Sequence, residues 1–310
     1  MTLAEVIQRA RAQDMGVRAD QVGPTRGLLA RMAAIEALLR RHRAVVDAEF
    51  RERGRGVVSS DEAPEGQVSL ADYPKGFCGV IRDRMFDRLV ADAEFRALAG
   101  RDVILKKVFV LLKGLYFQNA LQLGNLYVDV ANDTVDVRKP PVEWMPVEQA
   151  DYRNADDWPA VAEVGRRYYG VELYPNFHFP LAFPAVPWLA VRSSGRIDFF
   201  FAQEHLFLKD LGDGLRRARA LLEDPGFAER RLPEACRRLL ERACGANLRE
   251  AFPIEYAEVD AEMIRTKVLP EFEALGRAGD AAAAGVVEHY LKLVRAATAR
   301  LARMDLRAGG

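Results

Sequence analysis

The sequence predicts a mainly α protein, α+β in loose terms. We expect a helical bundle around one long central helix, with a small antiparallel β-hairpin element. Residues 102–136 contain no Pro and are apolar around most of a helical circumference, as is typical of a buried helix. Apolar residues recur at helical spacing through most of the remaining chain. In contrast, Trp188–Arg192 and Arg196–Phe201 flank the turn sequence Ser193–Gly195, which indicates a hairpin.

The central helix is assigned to Asp102–Asp136, about nine turns. At about 100° per residue, its polar side chains fall on one narrow face. They are Gln118, Gln122, Asn125, Asp129, Asn132, Asp133 and Asp136. A helix that is apolar elsewhere runs through the core, so its large apolar side chains should be almost solvent-free. This burial is predicted for Phe109, Leu112, Leu123, Leu126 and Val130.

Further helices are predicted on both sides of this segment. They cover residues 2–13, Thr25–Arg53, Phe77–Ala99, Trp158–Tyr169, 209–223, 227–244, 259–277 and 280–304. The stretch Gly54–Ser69 is rich in Gly, Ser and acidic residues, which predicts a mobile loop. Pro cannot continue a helix, so Lys139–Pro141 ends the first group. We therefore expect a helical bundle domain at 1–138 and a second segment at 139–310, packed together as one globular unit.

The composition excludes several classes of protein. The chain of 310 residues is 50% hydrophobic and 29% charged, which is typical of a globular protein. Lys+Arg and Asp+Glu number 45 each, so neither nucleic acid nor an anionic membrane is an expected partner. No window of 18 apolar residues occurs, and the N-terminal sequence has no signal-peptide core. With three cysteines and no CxxC, the expectation is a reduced, cytoplasmic protein.

The polar face of the predicted helix has three alternative interpretations. It could be an ordinary solvated face, a buried structural hydrogen-bond network, or the wall of a polar pocket. In a pocket, Gln118, Gln122 and Asn125 would orient a ligand. Asp129 and Asp133 would be the catalytic general base or the metal ligands, because carboxylates at i and i+4 can converge on Mg²⁺.

Two histidines border the aromatic hairpin region. His178 is a candidate ligand-binding residue, and His205 is a candidate acid–base catalyst or metal partner. Together with Glu204 they could bind non-haem iron or zinc. Haem ligation by one histidine and purely structural roles are the alternatives. The chain has no GxGxxG or GxxxxGK[ST] sequence, which disfavours nucleotide, flavin and nicotinamide sites of those kinds.

One segment has a family resemblance. The sequence ALQLGNLYVDVANDTVDVR, residues 120–138, resembles the second aspartate-rich helix of the squalene and phytoene synthase family. The Gln, Asn and DxxxD positions of that helix match Gln122, Asn125, Asp129 and Asp133. The resemblance implies an all-helical fold in which Asp129 and Asp133 bind the Mg²⁺ that holds a prenyl diphosphate.

These observations favour a cytosolic enzyme that acts on a small, largely apolar or aromatic metabolite. Its pocket would be lined by the polar face of helix 102–136 and closed by the aromatic, Pro-rich segment Tyr168–Phe207. The cofactor would be a divalent metal, Mg or Fe, if there is one. The alternative is a non-catalytic helical scaffold or regulatory protein, and a minor alternative is a Mg-dependent prenyl-diphosphate enzyme. The partner is a small-molecule ligand, and a homo-oligomer stays open.

Overall fold

The computed structural model describes residues 1–54, 56–59, 67–200, 204–245 and 254–304. Helices and antiparallel sheets both contribute to these residues, which form a mixed α/β fold. The predicted helical bundle around a single central helix is wrong. The described residues divide into two compact units. The first unit comprises residues 13–154, and the second comprises residues 1–12 together with 155–304.

The helices are distributed along the whole chain. They are α1 Leu3–Ala12, α2 Val22–Leu29, α3 Met32–Glu52, α4 Cys78–Ala91, α5 Ala93–Ala99, α6 Trp158–Tyr169, α7 Glu204–Gly212, α8 Arg216–Glu223, α9 Pro225–Ala228, α10 Glu234–Gly245, α11 Leu269–Ala278 and α12 Ala281–Arg303. A helical turn, Ala261–Met263, and a π-helical turn, Ile264–Val268, lead directly into α11.

The strands form three antiparallel groups. They are β1 Val57–Ser59, β2 Gln67–Ser69, β3 Leu105–Leu112, β4 Tyr116–Leu123, β5 Leu126–Asp129, β6 Glu143–Pro146, β7 Tyr152–Asn154, β8 Val171–Pro175, β9 Trp188–Arg192 and β10 Ile197–Phe199. The first unit contains a two-stranded ribbon, β1–β2, and a five-stranded sheet in the order β6-β5-β4-β3-β7. The second unit contains a three-stranded sheet in the order β10-β9-β8.

The segment assigned to the central helix is the middle of the five-stranded sheet. Strands β3, β4 and β5 form an antiparallel meander, with Val108 opposite Ala120 and Leu121 opposite Val128. Its first turn contains Lys113 and Gly114, with φ of 55° and 61°, and its second contains Gly124, with φ of 60°. A helix cannot contain such residues, so the chain reverses at both places.

The two faces of this sheet explain the misreading. One face packs on helices α2–α5 in a cluster that includes Leu121, Leu123, Leu126 and Val128. The other face contributes Val108, Val110, Ala120, Tyr127 and Val147 to a second cluster. Strands that are buried on both faces lose the alternation of polar and apolar residues, and their sequence then resembles a buried helix. Burial itself was predicted correctly for Phe109, Leu123, Leu126 and Val130, whereas Leu112 is half-buried.

Helices with clear local signals match the sequence more closely. The predicted helices 2–13 and Trp158–Tyr169 correspond to α1 and α6. The predicted helix Phe77–Ala99 is interrupted at Asp92, whose carboxylate accepts the backbone N–H groups of Glu94 and Phe95 and thereby caps α5. The predicted helix Thr25–Arg53 is likewise divided between α2 and α3. Within the predicted mobile loop Gly54–Ser69, residues 55 and 60–66 lie outside the described residues, and the described parts contain β1 and β2.

The predicted hairpin is confirmed. Strand β9 pairs antiparallel with β10, Ile197 lies opposite Val191, and Gly195 in the turn has a φ of 77°. Strand β8 adds to β9 and completes the three-stranded sheet. Among the described residues, no helix has the length and apolar character needed to cross a membrane.

Candidate functional site

Asp129 lies in the first unit and is fully hydrogen-bonded. Its Oδ2 accepts the Gln118 amide at 2.6 Å and the Tyr127 hydroxyl at 3.1 Å, and its Oδ1 accepts the backbone N–H of Ala131 at 2.9 Å. The structure therefore brings together two residues of the predicted polar face, Gln118 and Asp129. Burial raises the pKa of Asp129 to about 6, although these three hydrogen bonds oppose the shift.

Asp133 has a different partner. Its two carboxylate oxygens accept hydrogen bonds from Nη1 and Nη2 of Arg43, at 2.9 and 3.0 Å. The Arg43 side chain is buried, and its Nε donates to Asp47 at 2.8 Å. Each of the two aspartates predicted as metal ligands thus has its own protein donors. No group of three or more His, Cys, Asp or Glu side chains in the described part of the chain could hold a metal ion. The divalent metal therefore stays a prediction.

Two of the three predicted ligand-orienting amides, Gln122 and Asn125, bind the protein's own backbone, and Asn154, which was not predicted, does the same. The side chains of Gln122, Asn125 and Asn154 each bond to both the N–H and the C=O of one residue in the segment Met15–Arg18, at 2.8–3.2 Å. Each amide therefore completes the hydrogen bonding of one residue in a segment that belongs to neither helix nor sheet. This arrangement corresponds to the buried structural network among the three alternatives.

The residues that carried the family resemblance are not on one helix. Gln122 lies in β4, Asn125 in the turn that follows, Asp129 at the end of β5, and Asp133 in a turn beyond it. The helical face on which a DxxxD pair would bind Mg²⁺ is therefore missing from this part of the fold.

The candidate histidines belong to the second unit. His205 lies in the first turn of α7, and the neighbouring Glu204 pairs with Arg295 at 2.6 Å. The carboxylate proposed to complete a metal site therefore already has a cationic partner. His178 follows β8 and lines a cleft.

This cleft has a volume of about 240 Å³. The residues around it are Pro175, Phe177, His178, Arg230, Arg231, Leu232, Arg237, Glu258, Val259 and Asp260. One wall is the extended segment after β8, and the segment 257–259 runs beside it. Their backbones are joined because Ala257 and Val259 donate N–H groups to the carbonyls of His178 and Phe177 at 3.1 and 2.9 Å. The connection from α9 to α10 supplies the adjacent arginines, and α10 supplies Arg237.

His178 is the unusual member of this group. Only 5% of the residue is exposed, and its Nδ1 has no hydrogen-bond partner among the described residues. Its ring stacks on that of Tyr256, with centroids 5.9 Å apart and planes inclined by 15°. Burial lowers the pKa of His178, the positive charge of Arg237 adds to this effect, and Glu258 opposes it. The imidazole is therefore neutral near pH 7, with a ring nitrogen whose hydrogen-bonding capacity is unused.

Two arginines of the cleft are neutralised by carboxylates. Arg230 donates to Glu172 at 2.6 Å, and its guanidinium lies over the Tyr174 ring, 4.6 Å from the centroid. Arg237 makes two 2.8 Å bonds to Glu234 and lies 3.5 Å from Glu258. Their charges are therefore largely balanced within the protein.

Arg231 differs from both. Its Nη1 donates to the backbone carbonyl oxygens of Ala228 and Arg230 at 2.6 and 3.4 Å, and the guanidinium lies 6.0 Å from the Phe177 centroid. Across the ranges that the structure describes, no carboxylate pairs with it. Its charge is held in place by neutral groups.

None of these arginines was among the predicted site residues, and the cleft was not predicted. One local signal was present. Arg230 and Arg231 immediately precede a helix that starts after Pro233, and cations are disfavoured at a helix N-terminus. A basic pair at that place suggests another partner for its charge.

Comparisons with protein-family models, with curated proteins and with solved structures gave no match. Functional inference for this chain therefore rests on the site itself.

Proposed function

We propose that the chain is an enzyme that binds a small, largely apolar or aromatic molecule in the cleft, and that His178 exchanges a proton with it. The observation that carries the proposal is the buried ring nitrogen of His178 without a protein partner. A buried polar atom without a hydrogen bond is costly, and a bound ion or molecule is one explanation for it. A bound molecule would provide the missing partner.

The size and lining of the cleft support a small ligand. Its volume of about 240 Å³ is below the roughly 300–1,000 Å³ of pockets for drug-sized molecules. Four lining residues offer apolar surface, and the other six are polar or charged: His178, the three arginines, Glu258 and Asp260. This combination suits a molecule of about one ring with one or two polar groups.

The protonation state of His178 favours a base. An imidazole whose pKa lies below the usual value of about 6.5 is unprotonated at neutral pH and can accept a proton from a bound molecule. The amides and carboxylates of the first unit are not part of this proposal, because their hydrogen bonds are made within the protein.

Untargeted mass spectrometry of the small molecules retained from a cell extract would test the proposal. The wild-type chain should retain a molecule that Val259→Trp, which fills the cleft, does not retain. Val286→Trp on α12 is the matched control, because Val286 is exposed and does not line the cleft. His178→Asn should still bind the retained molecule but convert it much more slowly, by roughly 10²–10⁴-fold if proton transfer is the lost step. If wild type and Val259→Trp retain the same molecules, the cleft is not a binding site.

A further inference from the structure

We infer that the molecule bound in the cleft carries a single oxyanion group, a carboxylate or a phosphate, and that Arg231 binds this group. This inference names the chemical class of the ligand and rests on the proposed function. It depends on which arginines of the cleft are paired with carboxylates and on the hydrogen bonds that hold the Arg231 guanidinium.

Arg231 is arranged to receive an external anion. Both of its hydrogen bonds come from Nη1 and end on backbone carbonyls, so Nε and Nη2 have no acceptor among the described residues. The two carbonyls and the Phe177 ring fix the position of the guanidinium without neutralising it. A planar guanidinium with free N–H groups binds carboxylate or phosphate oxygens in a two-pronged geometry.

Three arginines line the cleft, and one of them has no carboxylate partner among the described residues. Arg230 and Arg237 are paired with carboxylates, and Glu258 lies against Arg237. The Asp260 carboxylate accepts the backbone N–H of Met263 at 2.8 Å and caps the helical turn that follows. Arg231 is therefore the cleft arginine that no carboxylate contacts among the described residues, and an oxyanion of the ligand would supply that contact.

Arg231 is itself exposed, and the buried imidazole in the same cleft distinguishes this site from an arginine that simply meets water. His178 lines the same cleft, is 95% buried, and has an unpartnered nitrogen. A ligand with an acidic group at Arg231 and an apolar body could extend over the Phe177 and Leu232 surface and offer a proton to His178. The two features together suit an aromatic or short aliphatic acid.

Four probes of similar size test the charge preference. Benzoate, phenyl phosphate, benzylamine and benzyl alcohol would be titrated into the full chain, with binding followed by calorimetry and by the NMR signals of the His178 imidazole. We expect benzoate, phenyl phosphate or both to bind and to shift the His178 signals, and the stronger of the two identifies carboxylate or phosphate. Arg231→Gln should weaken that binding by at least about tenfold, the value of one hydrogen bond to a charged group. Arg242→Gln, an exposed arginine of α10 outside the cleft, should leave it unchanged.

Each other result has a definite meaning. Preferential binding of benzylamine would assign recognition to Glu258 and Asp260 and overturn the inference. Equal anion binding by wild type and Arg231→Gln would also overturn it. If benzyl alcohol shifts the His178 signals as strongly as the anions do, the cleft binds ligands without charge selection, so the proposed function stands and the inference is wrong. If no probe shifts His178 and the extract experiment retains nothing in the cleft, both are wrong.

Discussion

Replacement of Asp129 by Asn tests the electrostatics of the first unit. Burial raises the pKa of the folded carboxyl to about 6, whereas an unfolded aspartate titrates near roughly 3.9. The folded state therefore binds more protons than the unfolded state between these pH values, and the free energy of unfolding falls as the pH rises. The favourable contribution is complete below about pH 4 and is lost above about pH 6. A shift of about two pKa units corresponds to about 3 kcal/mol.

Asparagine cannot ionise, so Asp129→Asn should lack this pH dependence. The new Nδ2 faces the Gln118 amide and the Tyr127 hydroxyl, which must reorient. This rearrangement changes the free energy of unfolding by an amount that is nearly independent of pH. Between about pH 4 and 7.5, the free energy of unfolding of the variant should therefore rise by about 3 kcal/mol relative to wild type.

The assay is urea-dependent hydrogen exchange of peptides from β4 and β5, read by mass spectrometry at several pH values. Asp136→Asn is a control whose difference from wild type should stay constant over this pH range, because Arg138 lowers the pKa of Asp136 to about 2. That carboxylate stabilises the fold above the unfolded pKa and loses its contribution as the pH falls through about 2. If the free energy of unfolding depends on pH in the same way for wild type and Asp129→Asn, the reasoning is refuted. If Mg²⁺, Mn²⁺ or Fe²⁺ stabilises wild type but not Asp129→Asn, the predicted metal site gains its first support.

Three further substitutions test other parts of the fold. Arg43→Met should lower the free energy of unfolding by about 3–5 kcal/mol in urea titrations, because Asp133 loses its ion-pair partner. The double variant Arg43→Met/Asp133→Asn should recover part of this lost stability, because no unpaired carboxylate remains. A double variant no more stable than Arg43→Met would contradict this. Gly165→Ala should lower the free energy of unfolding by about 1–3 kcal/mol and lower the Tm, because the new Cβ would lie 1.9 Å from the buried ring of Phe200. An unchanged Tm would show that the ring can move. Asn125→Ala should lower the free energy of unfolding by about 1–3 kcal/mol and speed hydrogen exchange at Arg18, whose N–H and C=O the Asn125 side chain binds. Unchanged exchange at Arg18 would show that these bonds are dispensable.

Local signals in the sequence were sufficient for several elements. Helix α6 begins with Pro159 at its second residue and ends at Gly170, whose φ of 60° marks the C-cap. The β9–β10 hairpin follows from two strand-forming runs around a turn that contains Gly195. In these segments the residues that decide the conformation are neighbours in the chain, so the sequence displays them directly.

The same reasoning failed for β3, β4 and β5 because their conformation depends on what covers the sheet. With both faces buried, Val108 and Leu121 are equally apolar although they point to opposite clusters. The alternation with a period of two is then hidden, and the turn residues Gly114 and Gly124 were the available signals. The helical interpretation ignored both.

The polar residues show most clearly which features the sequence determines and which the tertiary structure decides. The sequence alone determined that Gln118, Gln122 and Asn125, as amides in an apolar segment, need hydrogen-bond partners, because buried polar groups without them are costly. Only the tertiary structure decided that the partner of Gln122 is a backbone 106 residues away, and that Asp133 meets an arginine at a separation of 90. The need for a partner is a property of the residue itself. The partner's identity depends on which distant segments the fold brings within about 3 Å, and a single sequence carries no direct record of those contacts.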